Sequence, residues 1–191
     1  MTMYVALLRG INVSGHKKVP MAELRTLLTE LGHGDVRTHL QSGNAVFSST
    51  SDDEDALAAE LEQAIEKRFG FPVPCLVRNG GYLAAVAAAC PFPADELEGR
   101  QLHITYYGQP VDAERFAGID AAAFRPEEFR LGDRALYLYT PDGLGRSKLA
   151  EALFRPARNK GVIATSRNWN TVVKLVEMTA SAGTAHDGAR S

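Results

Sequence analysis

The sequence predicts an α+β fold built from two ferredoxin-like (βαββαβ) halves in series plus an extra C-terminal helix. Three observations predict it. Strand and helix periodicities alternate as β-α-β-β-α-β between residues 3 and 77. The same order returns between residues 102 and 164, and an amphipathic run follows from Trp169. The expected organisation is a first half over 1–79, a bridging segment over 80–100 and a second half over 101–165. A C-terminal helix packing between the halves takes 166–180, and a small, polar, disordered tail takes 181–191.

Met3 to Leu8 is a near-continuous apolar run, as in a strand buried on both faces. Pro20 suits a first helical position, and Met21, Leu24, Leu27, Leu28 and Leu31 make an apolar stripe that Gly32 ends. Strands follow at Val36 to Gln41 and Asn44 to Ser48, joined at Ser42-Gly43 in a tight turn that places Gly43 and Asn44 at positive φ. Ser51 is the expected cap of a second helix whose first turn is Asp52 to Asp55, acids that suit the positive end of the helix dipole. Leu57, Leu61, Ile65 and Phe69 carry its buried face, Gly70 stops it, and Val73 to Val77 is the next strand.

In the second half, Leu102 to Tyr107 reads as a strand, and Asp112 caps a short helix with Phe116 and Ile119 inward. Glu128 to Leu131 and Arg134 to Tyr139 form a hairpin across Gly132-Asp133. Ser147 opens a helix through Phe154, and Val162 to Ala164 is a short last strand. The final helix starts within Thr165 to Thr171, with Trp169, Val172, Val173 and Val176 on one face.

At 191 residues, the chain buries about 70% of its unfolded surface without a disulfide or a metal. A net charge of −2 argues against a dedicated, non-specific nucleic-acid binder. Locally, however, seven Arg or Lys residues stand against Glu151 alone between Gly145 and Lys174. Cys75 and Cys90 lack any framework spacing and read as core thiols. The N-terminal apolar run is too short for a signal peptide or a membrane span, so no membrane partner and a cytoplasmic location are expected.

The least fold-serving polar residues gather in three segments. The first strand runs into Arg9-Gly10-Ile11-Asn12-Val13-Ser14-Gly15-His16-Lys17-Lys18. Glycines at a strand-to-helix turn let backbone N–H groups approach a ligand, and Arg and Lys add charge. A nucleotide-triphosphatase loop needs Lys directly after the second Gly, where His16 stands instead. Gln41-Ser42-Gly43-Asn44 is polar where two strands meet. The third segment, Ser166-Arg167-Asn168-Trp169-Asn170, puts amides, a hydroxyl and a guanidinium at a helix start. The five histidines show no metal-ligand spacing, and neither a metal nor a cofactor is expected. No nucleophile emerges from spacing, so whether the protein is an enzyme stays open.

At these segments the chain resembles a bacterial family known as domain of unknown function 1697. The matching words are Tyr4 to Val13, Val19 to Arg25, Gln41 to Asn44 and Arg167 to Val172. The resemblance runs to about Met178 and implies two ferredoxin-like halves, with no activity or ligand attached. Two positions depart from its pattern: Ser14 stands where Gly is common, and Ser166 where Thr is.

The leading expectation is a site for a small anionic, phosphorylated or nucleotide-like ligand in a groove between the halves. Arg9 and Arg167 would clamp the anion, since a guanidinium grips two oxygens at once. Asn12, Asn44, Asn168 and Asn170 would orient it, Gln41, Ser42 and Ser166 would line the site, and Lys17 would add charge from the rim. The first alternative is nucleic-acid binding through segment 145–174 and strands bearing Tyr106, Tyr107, Tyr137 and Tyr139. The second is a purely structural role for the polar motifs. Nothing in the pattern indicates an oligomeric state.

Overall fold

The computed structural model describes residues 1–181; the expected tail lies outside the described residues from residue 182 onward. The fold is mixed, with two four-stranded antiparallel sheets and five α-helices among the described residues. The described residues divide into two compact units, one of residues 1–84 with 174–181, the other of residues 85–173.

The first unit begins with β1 (Thr2–Leu8), α1 (Met21–Glu30), β2 (Gly34–His39), β3 (Asn44–Ser49), α2 (Glu54–Phe69) and β4 (Cys75–Asn79). Its strand order is β2-β3-β1-β4, so the most continuously apolar strand is internal, paired with β3 and with β4. Side chains alternate across a sheet, so Tyr4, Ala6 and Leu8 join Phe47 and Val77 against Leu24 and Leu28 of α1 and Leu61 and Ile65 of α2. Val5, Leu7, Val46 and Arg78 are buried on the opposite face. Arg78 Nη1 lies 3.4 Å from Glu54 Oε2, and the guanidinium sits 5.7 Å from the Tyr82 ring centre. Outward donors on the β4 edge are met by α2 carboxylates. Cys75 N–H donates to Glu62 Oε1 (2.8 Å) and Asn79 N–H to Glu54 Oε1 (2.7 Å), which blunts that edge against stray pairing.

Several element ends differ from expectation. Pro20 is the N-cap of α1 (φ −62°, ψ 134°) and not its first residue. Asp53, not Ser51, caps α2 by accepting from Ala56 N–H at 2.9 Å, and Gly70 ends that helix at φ +84°. In the β2–β3 turn the positive φ values fall on Leu40 (+61°) and Gly43 (+90°), while Asn44 opens β3 and is buried. The strand placed at 73–77 is β4, and the bridging segment starts with α3 (Gly80–Ala88).

The second unit holds β5 (Leu102–Tyr107), β6 (Glu128–Gly132), β7 (Ala135–Tyr139), α4 (Lys148–Leu153) and β8 (Ala164–Asn168) in the strand order β6-β7-β5-β8. Ser147 caps α4 as expected, accepting from Ala150 N–H at 2.8 Å. The helix expected after Asp112 is absent; two 3-10 turns, Ala113–Phe116 and Ala121–Phe124, stand in its place. Asp112 caps the first, Asp120 caps the second, and Gly118 lies between them, so the backbone restarts before a helix can propagate.

The last strand is the largest correction. It runs over Ala164–Asn168, pairing Thr165 with Tyr106 and Arg167 with Ile104. The final helix, α5 (Trp169–Ser181), therefore starts three residues after Ser166. Its buried face is Thr171, Val172, Leu175, Met178 and Thr179; of the expected Trp169, Val172, Val173 and Val176, Val172 is buried, Trp169 and Val176 are half-buried and Val173 is 38% exposed.

A methyl group at Gly43 would come within 2.8 Å of both Leu8 Cβ and Ile11 Cδ1, at a backbone angle that already suits glycine. Gly43→Ala is expected to destabilise the protein by about 2 kcal/mol, read from urea unfolding as a lower midpoint at unchanged slope.

Candidate functional site

Between β1 and α1 the chain forms a loop held by one side chain. The Asn12 carboxamide donates to Val19 O (3.0 Å) and to Gln41 O (2.7 Å) and accepts from Val19 N–H (2.9 Å). Asn12 N–H also donates to Lys17 O at 3.1 Å. Above that base, Val13 and His16 form an isolated bridge, and His16 N–H donates to Val13 O at 3.0 Å. Ser14 (φ +52°) and Gly15 (φ +76°) occupy the centre of this turn, both left-handed as in the mirror-image hairpin turns. Asn12 (φ +54°) and Lys17 (φ +48°) are left-handed too. Each non-glycine residue held so costs about 1–2 kcal/mol, and such concentrations of strain mark sites where geometry matters more than stability.

Beside this loop lies a cleft of about 710 Å³, bordered by Asn12, Gly15, Lys18, Met21, Arg25 and Gln41. Lys18 and Arg25 bring positive charge; Arg25 Nη1 donates to Thr38 Oγ1 at 2.6 Å and so has a fixed direction. Pro20 offers no side-chain cap to α1, so the first-turn N–H groups have no intrahelical acceptor. Glu23 is the acid of that turn. The expected site segment reached Lys18, without a role for it, and left out Arg25. The signal was the polar side of α1, where position 25 lies one turn beyond the lining residue Met21.

The expected site residues fall into two groups. Arg9, Asn12, Lys17, Gln41, Ser42 and Asn44 belong to the first unit, and Ser166 to Asn170 to the second. Arg9 is exposed, with its N–H donating to Pro74 O at 3.0 Å. Lys17 Nζ donates to Pro72 O at 3.1 Å, which ties down the loop. Asn44 is fully buried and donates to His39 O (2.8 Å) and Ser42 Oγ (3.2 Å), bracing the turn from within. The Asn12 and Asn44 carboxamides thus donate to backbone carbonyls of the loop and the turn.

In the second unit, Ser166 Oγ shares a 2.6 Å hydrogen bond with Thr105 Oγ1. Arg167 is buried on β8 and not displayed at a helix start. Its Nη1 donates to Thr165 Oγ1 (2.7 Å) and Ser166 O (2.9 Å), and burial lowers its pKa to about 10. At neutral pH it keeps its charge. Asn168 Oδ1 accepts from Thr171 N–H at 3.0 Å, capping α5, and Asn170 is exposed.

The tyrosines of the nucleic-acid reading face inward. Tyr106, Tyr107 and Tyr137 are buried, Tyr137 Oη donates to Val86 O at 2.6 Å, and Tyr139 is half-buried and packs near Phe92. Exposed cations remain at Arg146, Lys148, Arg155 and Lys160. Burial pushes the Cys75 thiol up, and Cys75 lies in the apolar core of the first unit. Among the described residues no His, Cys, Asp and Glu group has metal-site composition, and no helix is long and apolar enough to cross a membrane.

Two outcomes follow from this geometry. Ser14→Gly is expected to stabilise by about 0.5–1 kcal/mol, because glycine meets the left-handed backbone without strain, raising Tm by about 2–4 °C in calorimetry. Burial lowers the His103 pKa, so the unfolded chain takes up the proton first as pH falls. Stability contributed by neutral His103 is therefore lost as pH drops below about 6.5, at no more than ~1.4 kcal/mol per pH unit. Urea midpoints of wild type and His103→Gln at pH 7.5 and 5.5 check this, the variant showing the shallower dependence.

A family model described as "Protein of unknown function (DUF1697)" matches residues 1–137. A solved structure, that of the conserved bacterial protein SP0830 from Streptococcus pneumoniae, is similar at 25% identity with a TM-score of 0.75. The similarity covers 93% of this chain and 98% of that one. No curated protein matches the sequence.

Proposed function

We propose, for a chain that belongs to the DUF1697 family of proteins of unknown function, that it binds a small phosphorylated or nucleotide-like anion in the cleft of its first unit. The observation that carries this reading is the cleft itself. It is bordered by Lys18 and Arg25 and edged by a loop whose non-glycine residues Asn12, Ser14 and Lys17 are held left-handed. A hydrogen bond to a charged group contributes about 1.5–3 kcal/mol when well aligned, enough for two cations to select an anion. At about 710 Å³ the cleft lies within the range of small-molecule sites.

The ligand is read as bound, without a reaction assigned. We also infer that each sheet with its helices is a ferredoxin-like half. The strand orders β2-β3-β1-β4 and β6-β7-β5-β8 support this in both units. The nucleic-acid reading has less behind it, because its stacking residues are buried.

Isothermal titration of wild type with inorganic pyrophosphate, ribose 5-phosphate and adenosine 5′-diphosphate tests the proposal. Lys18→Ala and Arg25→Ala are each expected to weaken binding about tenfold, roughly 1.4 kcal/mol. No heat from any of the three at millimolar concentration overturns the reading.

A further inference from the structure

The first unit carries another concavity, at the far end of α1. A pocket of about 350 Å³ is bordered by Leu31, His33, Ser49, Ser51, Leu57 and Glu60. Met21, which opens α1, borders the cationic cleft, and Leu31, just past its end, borders this pocket. The helix rises 1.5 Å per residue, so its length sets the two sites about 15 Å apart.

Its polar groups are held in place from within. The His33 side chain is 8% exposed, its ring centre lies 4.7 Å from that of Phe47, and its Nε2 meets Glu60 Oε2 at 3.0 Å. The Glu60 side chain is 43% exposed. A buried imidazole therefore fixes the direction of a carboxylate that faces solvent, and among the described residues nothing bonds to Glu60 Oε1. Pairs at an exposed carboxylate add little to stability, so folding alone does not call for this one. Phe47 and Ser49 share the helix-facing side of β3, which puts the Ser49 hydroxyl on the face that His33 covers. Ser49 Oγ accepts from Ser51 N–H (3.2 Å), and Ser51 Oγ accepts from Asp53 N–H (3.3 Å). Each hydroxyl oxygen keeps a second lone pair. Among the described residues no Lys or Arg borders the pocket. The exposed Asp52, Asp53 and Asp55 nearby outweigh the partial positive charge at the start of α2.

We propose that this pocket binds a small organic cation, a primary ammonium on an apolar stem. The ammonium donates to Glu60 Oε1 and to the hydroxyl oxygens of Ser49 and Ser51, which matches its three protons. The stem lies against Leu31 and Leu57 and adds affinity by leaving water. An anion would meet Glu60 with no Lys or Arg to offset it, and a quaternary ammonium has no proton to give. All these residues belong to one compact unit, and the site is opposite in sign to the cleft and independent of the reading given for it.

Titration of the full chain with n-butylammonium chloride, followed by amide NMR, tests it, with 1-butanol and tetramethylammonium chloride as controls. n-Butylammonium is expected to shift the amides of His33, Ser49, Ser51 and Glu60 and to bind about tenfold more tightly than either control. Glu60→Gln is expected to weaken n-butylammonium binding about tenfold, and Lys18→Ala to leave it unchanged. Ser51→Ala, which leaves Glu60 and His33 in place, is expected to weaken it about threefold and serves as the check should Glu60→Gln fail to fold. Three results would each overturn the proposal: no amide shift at high millimolar n-butylammonium, equal binding of either control, or affinity untouched by both Glu60→Gln and Ser51→Ala. His33 and Glu60 would then serve only to join β2 to α2. Each of these results leaves anion binding in the cleft standing.

Discussion

The carboxamide of Asn12 stands in for a strand partner. It donates to Val19 O and Gln41 O and accepts from Val19 N–H, so one side chain joins three backbone segments. Those segments are the end of the loop after β1, the entry to α1 and the β2–β3 turn. That junction holds the loop against the turn and keeps a wall on the cleft beside Met21 and Gln41. Asparagine is suited to this for two reasons. It presents a donor and an acceptor on one short side chain, and it tolerates the left-handed backbone found there (φ +54°) better than most residues.

The same economy recurs elsewhere. Asn44 braces the β2–β3 turn from inside, Asn168 caps α5, and Glu54 receives both the backbone and side-chain donors of Asn79. Polar residues that looked surplus to folding are in these cases the groups that satisfy turns and edges. Buried backbone groups left unpaired are costly, so a fold with many short connections draws heavily on amide and carboxylate side chains. What remains unexplained by such needs is small: the exposed Arg9, the cleft cations Lys18 and Arg25, and the exposed Glu60 carboxylate. Function is argued from that remainder.

Much of the fold was legible. The run Met3 to Leu8 announced a doubly buried strand, and the stripes of α1 and α2 named their core residues, because long periodic segments have few alternative ways to hide their apolar faces. The region after Asp112 misled, since capping acids at 112 and 120 favour restarted turns over one helix. Thr165 to Asn168 misled in the other direction. Their hydroxyls, amide and guanidinium read as a helix start, yet they form a strand because β5 offers an open edge and Asn168 caps only from Trp169 on. Of the candidate site, the loop and the turn were legible as polar segments, whereas the backbone bonds of the Asn12 and Asn44 amides were not.

By itself the sequence determined the order of the strands, the burial of the first strand on both faces, the core faces of α1 and α2 and the family of the chain, because these are written in local periodicity and long matching words. Only the tertiary structure decided which polar residues are left for solvent. Whether an asparagine or arginine is left for a ligand depends on donors and acceptors a dozen or more residues away, as Asn12 on Gln41 and Arg25 on Thr38 show. Hydrogen bonds act over about 3 Å of space and are blind to separation along the chain.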